Sequence, residues 1–559
     1  MNGAQLILDT LHQAGVRTLF GYPGGCIMPL YDALLESPIE HILCRHEQAA
    51  ALAADGLARS TGRLGVCVAT SGPGATNLVT GVANAYMDSV PLLVITGQVP
   101  RALIGTDAFQ ETDILGMTLG IVKHSWLIRS VEELAEVLPR AIHLACSGRP
   151  GPVWLDIPKD VLLEAWSGPR VRPPAQAKPG TADEALLARV AERIRAARRP
   201  VIYNGGGVLL GRAVDAFRDL LARTGIPTVE TLKGLGNPSP DYPWDLGMLG
   251  MHGSAAANRL VHESDLLITI GARFDDRATG RPSDFAPGAD IIQFDCDRAE
   301  CAKILTPSLF VQGDLQPALS HLAALFDTPP AIDDWRRHAL ELKTRLGFRE
   351  DTDQQSARPI SGPAFVRTLS QVLPEQAIVA CDVGQHQMWV AQHFRVRHPA
   401  AHLSSGGLGT MGFGLPAAMG AALGNPGQPV IAVMGDGSFM MNVQELATLK
   451  RYALPVKMIL MDNQRLGMVR QQQSLFFNGR LSEIDLSDNP DFLTLTRAFD
   501  IPSLSIRQRF QMRRGIETLL AYPGPMLLHV AIEADENVWP IVPPGAANHE
   551  LIQPEESLA

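Results

Sequence analysis

The sequence predicts an α/β protein built as three doubly wound parallel-sheet domains. Three observations carry this. The chain has 559 residues, too many for one ordinary hydrophobic core. Two Pro-, Gly- and charge-rich stretches divide it into three blocks of similar size. Each block repeats one local grammar: a short apolar or β-branched run, a Gly-rich turn, then a helical pattern.

The connectors are residues 167–182, SGPRVRPPAQAKPGTA, and residues 327–363, which hold DTPP, a polar helical stretch from Asp333 to Leu346, and REDTDQQSARPISGP. They set domain limits at 1–166, 183–326 and 360–540, with a tail over 541–559. The first block has RLGVCVATSGPGATN and PLLVITGQ. The second has RPVIYNGGGV, SDLLITIGARFDD and ADIIQFDCD. The third has QPVIAVMGDGSF, the helix-like NVQELATLKRYA and PVKMILMDN. Strands that read as unbroken apolar runs between helices are buried on both faces, as in a parallel sheet. Ligands of such sheets sit at the carboxyl ends of the strands, where most of these Gly-rich turns fall.

Composition narrows the function classes. Hydrophobic residues make up 46% and charged residues 19%, a globular mixture, and the formal net charge of -10 disfavours a nucleic-acid or anionic-membrane surface. The seven cysteines are scattered without a CxxC pair, which suits reduced thiols rather than a disulfide framework or a zinc site. The N-terminus, MNGAQLILDTLHQAG, reads as an amphipathic helix and lacks the features of a signal peptide, and no run of about 18 apolar residues suggests a membrane span. The expected location is cytoplasmic.

The strongest chemical signal is Gly435-Asp436-Gly437-Ser438 after the run VIAVM, with Asp462-Asn463 closing VKMIL. Asn463 follows Asp436 by 27 residues, the length of a helix and the next strand. That path returns both strand ends to one side of a parallel sheet. A carboxylate and an amide oxygen then face one point, which suits Mg²⁺ holding diphosphate oxygens, and the glycines admit phosphate close to the backbone. GDG alone is also a common strand-end turn; the pairing with Asn463 is what makes it specific. The arrangement resembles the metal–diphosphate motif of thiamine-diphosphate enzymes, in which a main-chain carbonyl two residues after the asparagine, here that of Arg465, completes the protein ligands.

Glu47, in CRHEQAAALAADGLARSTG, falls in the first turn of an Ala-rich helix. A carboxylate there also simply favours the helix dipole. In the thiamine reading it is the carboxyl beside the aminopyrimidine ring, where it acts as general acid and base while the thiazolium carbon loses its proton. In the middle block, Gly205-Gly206-Gly207, GMLGMHG (Gly247 to Gly253) and Gly271-Ala272-Arg273-Phe274-Asp275-Asp276-Arg277 lie where strands should end. They suit a dinucleotide, or are tight turns in a supporting domain, since no GxGxxG fingerprint is present.

With these residues in hand, the chain closely resembles the catalytic subunits of the acetohydroxyacid synthase (acetolactate synthase) family over nearly its entire length, the two connectors excepted. The shared strings include FGYPGG (Phe20 to Gly25), RHEQAA, TSGPGATN, IGTDAFQE, SGRPGPVWLDIPKD, LGMLGMHG, GARFDDR, DVGQHQMW, GLGTMGFGLPAA and VWPIVPPGA. The resemblance implies the thiamine-diphosphate enzyme fold. It implies thiamine diphosphate on Glu47, Asn77, Gln385, His386, Gly409, Met411, Gly435, Asp436, Gly437, Ser438 and Asn463, with Met411 supporting the bent cofactor. Mg²⁺ would lie on Asp436, Asn463 and the Arg465 carbonyl. FAD, without net redox role, would lie on Arg149, Gly205, Gly206, Gly207, Met251, His252, Gly271, Arg273, Asp275, Arg277, Asp295 and Asp314. It further implies a homodimer or homotetramer whose active sites are shared between subunits, and a regulatory small subunit.

The implied reaction is decarboxylation of pyruvate and condensation of the two-carbon unit with a second pyruvate or with 2-oxobutyrate. It is the first common step of valine, leucine and isoleucine biosynthesis. Glu47, Gln110 and Arg277 are the implied catalytic residues, Arg277 offering a guanidinium fork to the acceptor carboxylate. Val99, Phe109, Gln110, Lys159, Met251 and Gln472 would line the substrate channel. At 472 the family usually has tryptophan, understood to favour 2-oxobutyrate and to form part of a herbicide site, so Gln472 implies weakened selectivity. The nearest alternatives are an FAD- and thiamine-diphosphate-dependent pyruvate oxidase and a glyoxylate carboligase; Glu47 argues against the latter. A non-catalytic scaffold is disfavoured because Glu47, Asp436 and Asn463 are all present.

Overall fold

The structure, a computed structural model, describes residues 1–172, 180, 183–348 and 356–554. Parts of both connectors and of the tail (173–179, 181–182, 349–355 and 555–559) lie outside the described residues.

Among the described residues eighteen strands form three six-stranded sheets, and every paired neighbour in them is parallel. The first holds β1 (Thr18–Gly21), β2 (Glu40–Leu43), β3 (Gly65–Ala69), β4 (Leu92–Gln98), β5 (His124–Leu127) and β6 (Pro152–Pro158), ordered β2-β1-β3-β4-β6-β5. The second holds β7 (Pro200–Asn204), β8 (Thr228–Glu230), β9 (Asp245–Met248), β10 (Leu266–Ile270), β11 (Asp290–Asp295) and β12 (Leu309–Gln312), ordered β12-β11-β10-β7-β8-β9. The third holds β13 (Ile378–Cys381), β14 (His402–Ser404), β15 (Val430–Gly435), β16 (Val456–Asp462), β17 (Ser503–Ile506) and β18 (Met526–Ala531), ordered β14-β13-β15-β16-β18-β17. The runs read as strands in the sequence are β3, β4, β7, β10, β11, β15 and β16.

The first and third sheets therefore share one strand order, and the middle sheet has the order of dinucleotide-binding folds. Each order reverses direction near its centre, between β1 and β3, between β7 and β10, and between β13 and β15; the first and third reverse again at one edge, where β6 and β18 sit inside β5 and β17. Crevices open beyond the carboxyl ends of the strands at such reversals. The turns after β7 and β10 are Gly205–Gly207 and Gly271–Arg273, and those after β13 and β15 are Asp382–Gln385 and Asp436–Ser438. Topology thus delivers the predicted glycine turns to crevices, including those of the middle domain that lack a fingerprint.

Local rules account for the helices that matter here. Gly3–Gln13 is the expected N-terminal amphipathic helix, closed by a reciprocal Asn2–Gln5 capping box and burying Leu6, Ile7 and Leu11. Glu47–Thr61 starts after His46, whose ring accepts from the Gln48 N–H, and ends at left-handed Gly62. Asp333–Leu346 matches the polar helix expected in the second connector; its buried stripe is Trp335, Ala339 and Leu342. One expectation is refined. The stretch NVQELATLKRYA is not a single helix but a 3₁₀ turn, Val443–Glu445, followed by Leu446–Arg451.

The first and third domains share a core. Phe20, Leu52, Cys67 and Trp154 of the first join Phe413, Met434, Leu460 and Leu527 of the third in one buried cluster. At its centre helix Glu47–Thr61 crosses helix Gly414–Gly424 at backbone contact. A Cβ on Gly56 would stand 2.2 Å from the Ala417 carbonyl oxygen, and one on Gly420 1.8 Å from that of Ala53. A methyl group cannot enter without separating the helices. Gly420→Ala is expected to destabilise the protein by about 1–3 kcal/mol, read as a lower urea midpoint. A midpoint equal to wild type would show that the interface tolerates separation. No helix among the described residues is long and apolar enough to cross a membrane.

Candidate active site

The predicted residues gather into two clusters. The first is at the carboxyl end of the first sheet. Glu47 opens its helix just beyond β2, and its Oε2 accepts from Asn77 Nδ2 at 2.9 Å. The missing Cβ of Gly74 leaves room for the other oxygen, since a Cβ there would lie 3.3 Å from Oε1. Gly72, at φ +57, lies against Gln110, whose own φ is 62; a Cβ on Gly72 would come within 3.0 Å of the Gln110 Cα. Gln110 and the Glu47–Asn77 pair thus border the same glycine turn, through Gly72 and Gly74 respectively. Phe109, next to Gln110 in the chain, is 87% exposed. Val99 is buried, its N–H donating to Gln98 Oε1 at 2.9 Å, and Gln98 in turn donates to buried Asp156 at 2.9 Å. Lys159 begins a short helix after β6, beside the Arg101–Asp160 ion pair.

The second cluster lines a cleft of about 2260 Å³ where the three domains meet, larger than the roughly 300–1,000 Å³ of a site for one small ligand. At one end stand Gln385, His386, Gly409, Met411, Gly435, Asp436, Gly437, Ser438, Asn463, Arg465 and Gln472; along the middle domain stand Gly206, Gly207, Met251, His252, Gly271, Arg273, Asp275, Arg277, Asp295 and Asp314, with Arg149 reaching in from the first. Gly205 does not line it: a Cβ there would meet the Gly271 carbonyl oxygen at 2.6 Å, so this glycine serves close packing of the turns after β7 and β10. Glu47, Asn77, Val99, Phe109, Gln110 and Lys159 do not line the cleft of this chain either.

The clamp end has the donor set of a cation–diphosphate site. Asn463 Nδ2 donates to Gln385 Oε1 at 3.0 Å, and the Arg465 N–H donates to Asn463 Oδ1 at 3.2 Å. Asn489 Nδ2 donates to Asp436 Oδ2 at 3.1 Å. Burial, reinforced by the neighbouring Asp462 carboxyl, pushes Asp436 up to about 7. His386 is buried, which pushes its imidazole down to about 3, and its Nε2 has no protein partner. A buried polar nitrogen without a partner is costly, and a phosphate oxygen would satisfy it. The residues fit thiamine diphosphate and Mg²⁺.

The turn carrying Gly409 and Met411 is tied down from both domains. Asp382 Oδ1 accepts from the Gly412 N–H at 2.9 Å and Oδ2 from the Gly414 N–H at 2.8 Å. Upstream, Asp88 accepts from the Gly406 and Gly407 N–H groups at 3.0 and 2.8 Å and pairs with Arg59 at 2.8 Å. Although burial pushes Asp88 up, Arg59 and Lys233 hold its carboxyl well below the usual range. Ser405 Oγ donates to Asn84 Oδ1 at 2.6 Å. The sequence gives no signal for Arg59, Asn84, Asp88, Lys233 or Asp382 as site residues. An isolated aspartate or arginine there has no local signature; its role exists only where domains meet.

On the flavin side the fit is mixed but favourable. His252 Nε2 is buried without a partner in the cleft, while Nδ1 faces the Pro540 carbonyl at 3.3 Å; burial pushes this ring down to about 4. Burial raises Asp295 to about 6. Arg149, however, is already engaged: it pairs with Glu300 at 2.7 Å and donates to Ser89 at 2.8 Å, joining the first and middle domains. Asp275 caps the short helix Asp276–Thr279, so its carboxylate first serves the Arg277 and Ala278 N–H groups. Asp314 accepts from the Gly180 N–H. Arg277 keeps its guanidinium largely in solvent, touching Met251 Sδ at 3.5 Å.

Two parallel sheets of identical order, one ending in an acid–amide cluster and the other in a carboxylate–amide clamp, define a thiamine pyrophosphate enzyme. Family models agree: residues 1–117 match the N-terminal TPP binding domain, 187–322 the central domain and 382–530 the C-terminal TPP binding domain of thiamine pyrophosphate enzymes. Among curated relatives, the acetolactate synthase isozyme 2 large subunit of Escherichia coli is 50% identical across 99% of this chain and 100% of its own length. The isozyme 1 large subunit of the same organism is 45% identical across 98% and 97%. Chloroplastic acetolactate synthase 1 of Zea mays is 42% identical across 98% and 88%. The chain belongs to the acetolactate synthase large-subunit family.

Proposed function

We propose that this chain is the catalytic subunit of an acetolactate synthase: it decarboxylates pyruvate and joins the two-carbon unit to a second pyruvate or to 2-oxobutyrate, the first common step of branched-chain amino acid biosynthesis. The observation that carries this reading is the Glu47–Asn77 pair facing the Gln110 turn, beside a separate Asp436–Asn463 clamp, in a chain that matches acetolactate synthases end to end.

Thiamine diphosphate, when bound, supplies the carbon nucleophile and the electron sink for decarboxylation. Asp436, Asn463 and the Arg465 carbonyl would hold Mg²⁺ against its phosphates, with His386 and the glycine turn at 435–437 around them. Glu47 would exchange a proton with the aminopyrimidine ring, and Asn77 holds its carboxyl in one orientation. Arg277 lines the cleft, and its solvent-exposed guanidinium would suit the acceptor carboxylate. FAD would occupy the middle-domain side, near His252 and Asp295.

Glu47 and the clamp lie in different clusters of one chain, and the stretches of chain that supply their residues also carry exposed apolar side chains: Leu103, Phe109, Met117 and Leu119 around Gln110 in sequence, and Leu408, Met441, Val469 and Phe477 around Met411, Asp436 and Gln472. Exposed apolar patches mark interaction surfaces. We read the working form as at least a homodimer in which Glu47 of one copy meets the clamp of its partner. A small regulatory subunit completes the proposal, since the relatives are themselves large subunits.

The deciding experiment is product analysis with pyruvate alone and with 2-oxobutyrate added, with and without thiamine diphosphate and Mg²⁺. Acetolactate and aceto-hydroxybutyrate with the flavin staying oxidised are expected; acetate or acetyl phosphate with flavin reduction would replace this reading by an oxidase. Gln472, in helix Gly467–Phe476, lines the cleft. Its amide offers less apolar surface than an indole to the extra methylene of 2-oxobutyrate, a difference read by apolar pockets at about 1–3 kcal/mol. Gln472→Trp is expected to raise the 2-oxobutyrate share in competition assays by about tenfold or more. An unchanged share rejects the assignment.

A further inference from the structure

We infer that His529 is a positioning residue for the cation clamp, acting through Asp462. The inference rests on the clamp reading of Asp436 and Asn463 and adds to it a buried support drawn from three neighbouring strands.

In the third sheet β16, β18 and β17 are adjacent, with Leu460 opposite His529 and His529 opposite Ser505. Asp462, two residues beyond Leu460, projects from the same face as His529 because side chains alternate along a strand. His529 Nε2 lies 2.9 Å from Asp462 Oδ2, and its Nδ1 lies 2.9 Å from Ser505 Oγ. With Nε2–H donated to the carboxylate and Nδ1 accepting the serine hydroxyl proton, both ring nitrogens are satisfied in one orientation. The Gln464 N–H donates to Asp462 Oδ1 at 3.0 Å. The carboxyl of Asp462 is thereby held from two sides; it acts electrostatically on Asp436, and the next residue in the chain is the clamp's Asn463.

The line is Ser505, His529, Asp462, Asp436. His529 is buried and packs beside Phe492, ring centroids 6.2 Å apart, while Phe492 meets Phe439 edge-on at 5.9 Å. Phe439 belongs to the helix Asp436–Met440 that Asp436 begins. The imidazole therefore cannot turn away without disturbing the element that carries the clamp carboxylate. Met461 and Asn463 line the cleft, whereas Ser505, His529 and Asp462 do not. Their influence on a cation is indirect: they determine where the second carboxyl stands beside Asp436. Groups that orient a metal's ligands in this way typically contribute about 10- to 100-fold in metal affinity. A histidine that merely filled space between strands would contribute to unfolding stability and leave affinity unchanged.

The test is titration of the full-length protein with Mn²⁺, as a stand-in for Mg²⁺, at saturating thiamine diphosphate, with free Mn²⁺ followed by electron paramagnetic resonance. His529→Ala is expected to weaken Mn²⁺ binding by about 10- to 100-fold, and His529→Gln, whose amide still donates, to recover most of the loss. Asp462→Asn tests the same link from the other partner and should weaken binding comparably. Affinity of His529→Ala within twofold of wild type, or equal losses in His529→Ala and His529→Gln, overturns the inference. Asp436→Ala separates the two levels of argument. If it abolishes Mn²⁺ binding while His529→Ala does not, only the role of His529 fails; if it binds Mn²⁺ normally, the clamp reading fails and the inference with it.

Discussion

Glu47→Gln is expected to lower kcat for acetolactate formation by about 10²- to 10⁴-fold while leaving the fold and cofactor binding near wild type. The substitution keeps the shape and an oxygen to accept from Asn77 Nδ2, now 2.9 Å from Oε2, but removes the acid–base proton. Because Glu47 is the first residue of its helix, losing its charge costs only a few tenths of a kcal/mol in dipole interaction, about 0.3–1 kcal/mol at most. Thermal unfolding therefore separates the chemical from the structural effect. A variant that retains more than a tenth of wild-type turnover would remove Glu47 from the mechanism.

Asp436→Ala is expected to abolish turnover and to raise the thiamine diphosphate concentration needed for half-saturation by orders of magnitude, because it deletes the clamp's carboxylate ligand. Chelation of divalent cations from the wild-type protein should reproduce the loss, and added Mg²⁺ should reverse it. Chelation should leave Asp436→Ala no worse than before. Activity in Asp436→Ala that still responds to Mg²⁺ would place the cation elsewhere. The two variants also test the shared site. If each site draws Glu47 from one copy and Asp436 from the other, mixing the two inactive proteins under exchange conditions restores activity, since one site of each hybrid dimer is intact. No recovery after verified exchange would put both residues in a site made by a single chain.

The repeated α/β grammar, the GDG turn with its distant asparagine and the Glu47 helix start were all legible in the amino-acid order. Each is a contiguous pattern: apolar runs such as VIAVM, glycine turns, a capped Ala-rich helix. Their physics is local, set by side-chain period and backbone freedom. The same holds for the polar helix Asp333–Leu346 and the N-terminal helix with its Asn2 cap.

Other features became visible only in three dimensions. The shared order of the first and third sheets, and the different order of the middle one, depend on strands that pair although they lie far apart in the chain, as Lys457 does with Met526 and Leu266 with Pro200. The glycine contacts of Gly56 and Gly420 arise because two helices from different domains cross there; neither glycine has a turn to announce it. Arg149, expected as a flavin contact, lines the cleft and also bridges Ser89 and Glu300, a role its sequence context does not announce. Asp462 and His529, 67 residues apart, become partners only when β16 and β18 lie side by side. Residue order alone determined the elements and the chemical types at their ends, because those follow from neighbours along the chain. Tertiary structure decided which ends meet and which polar groups must satisfy one another, because burial, not sequence proximity, makes an unpaired group costly.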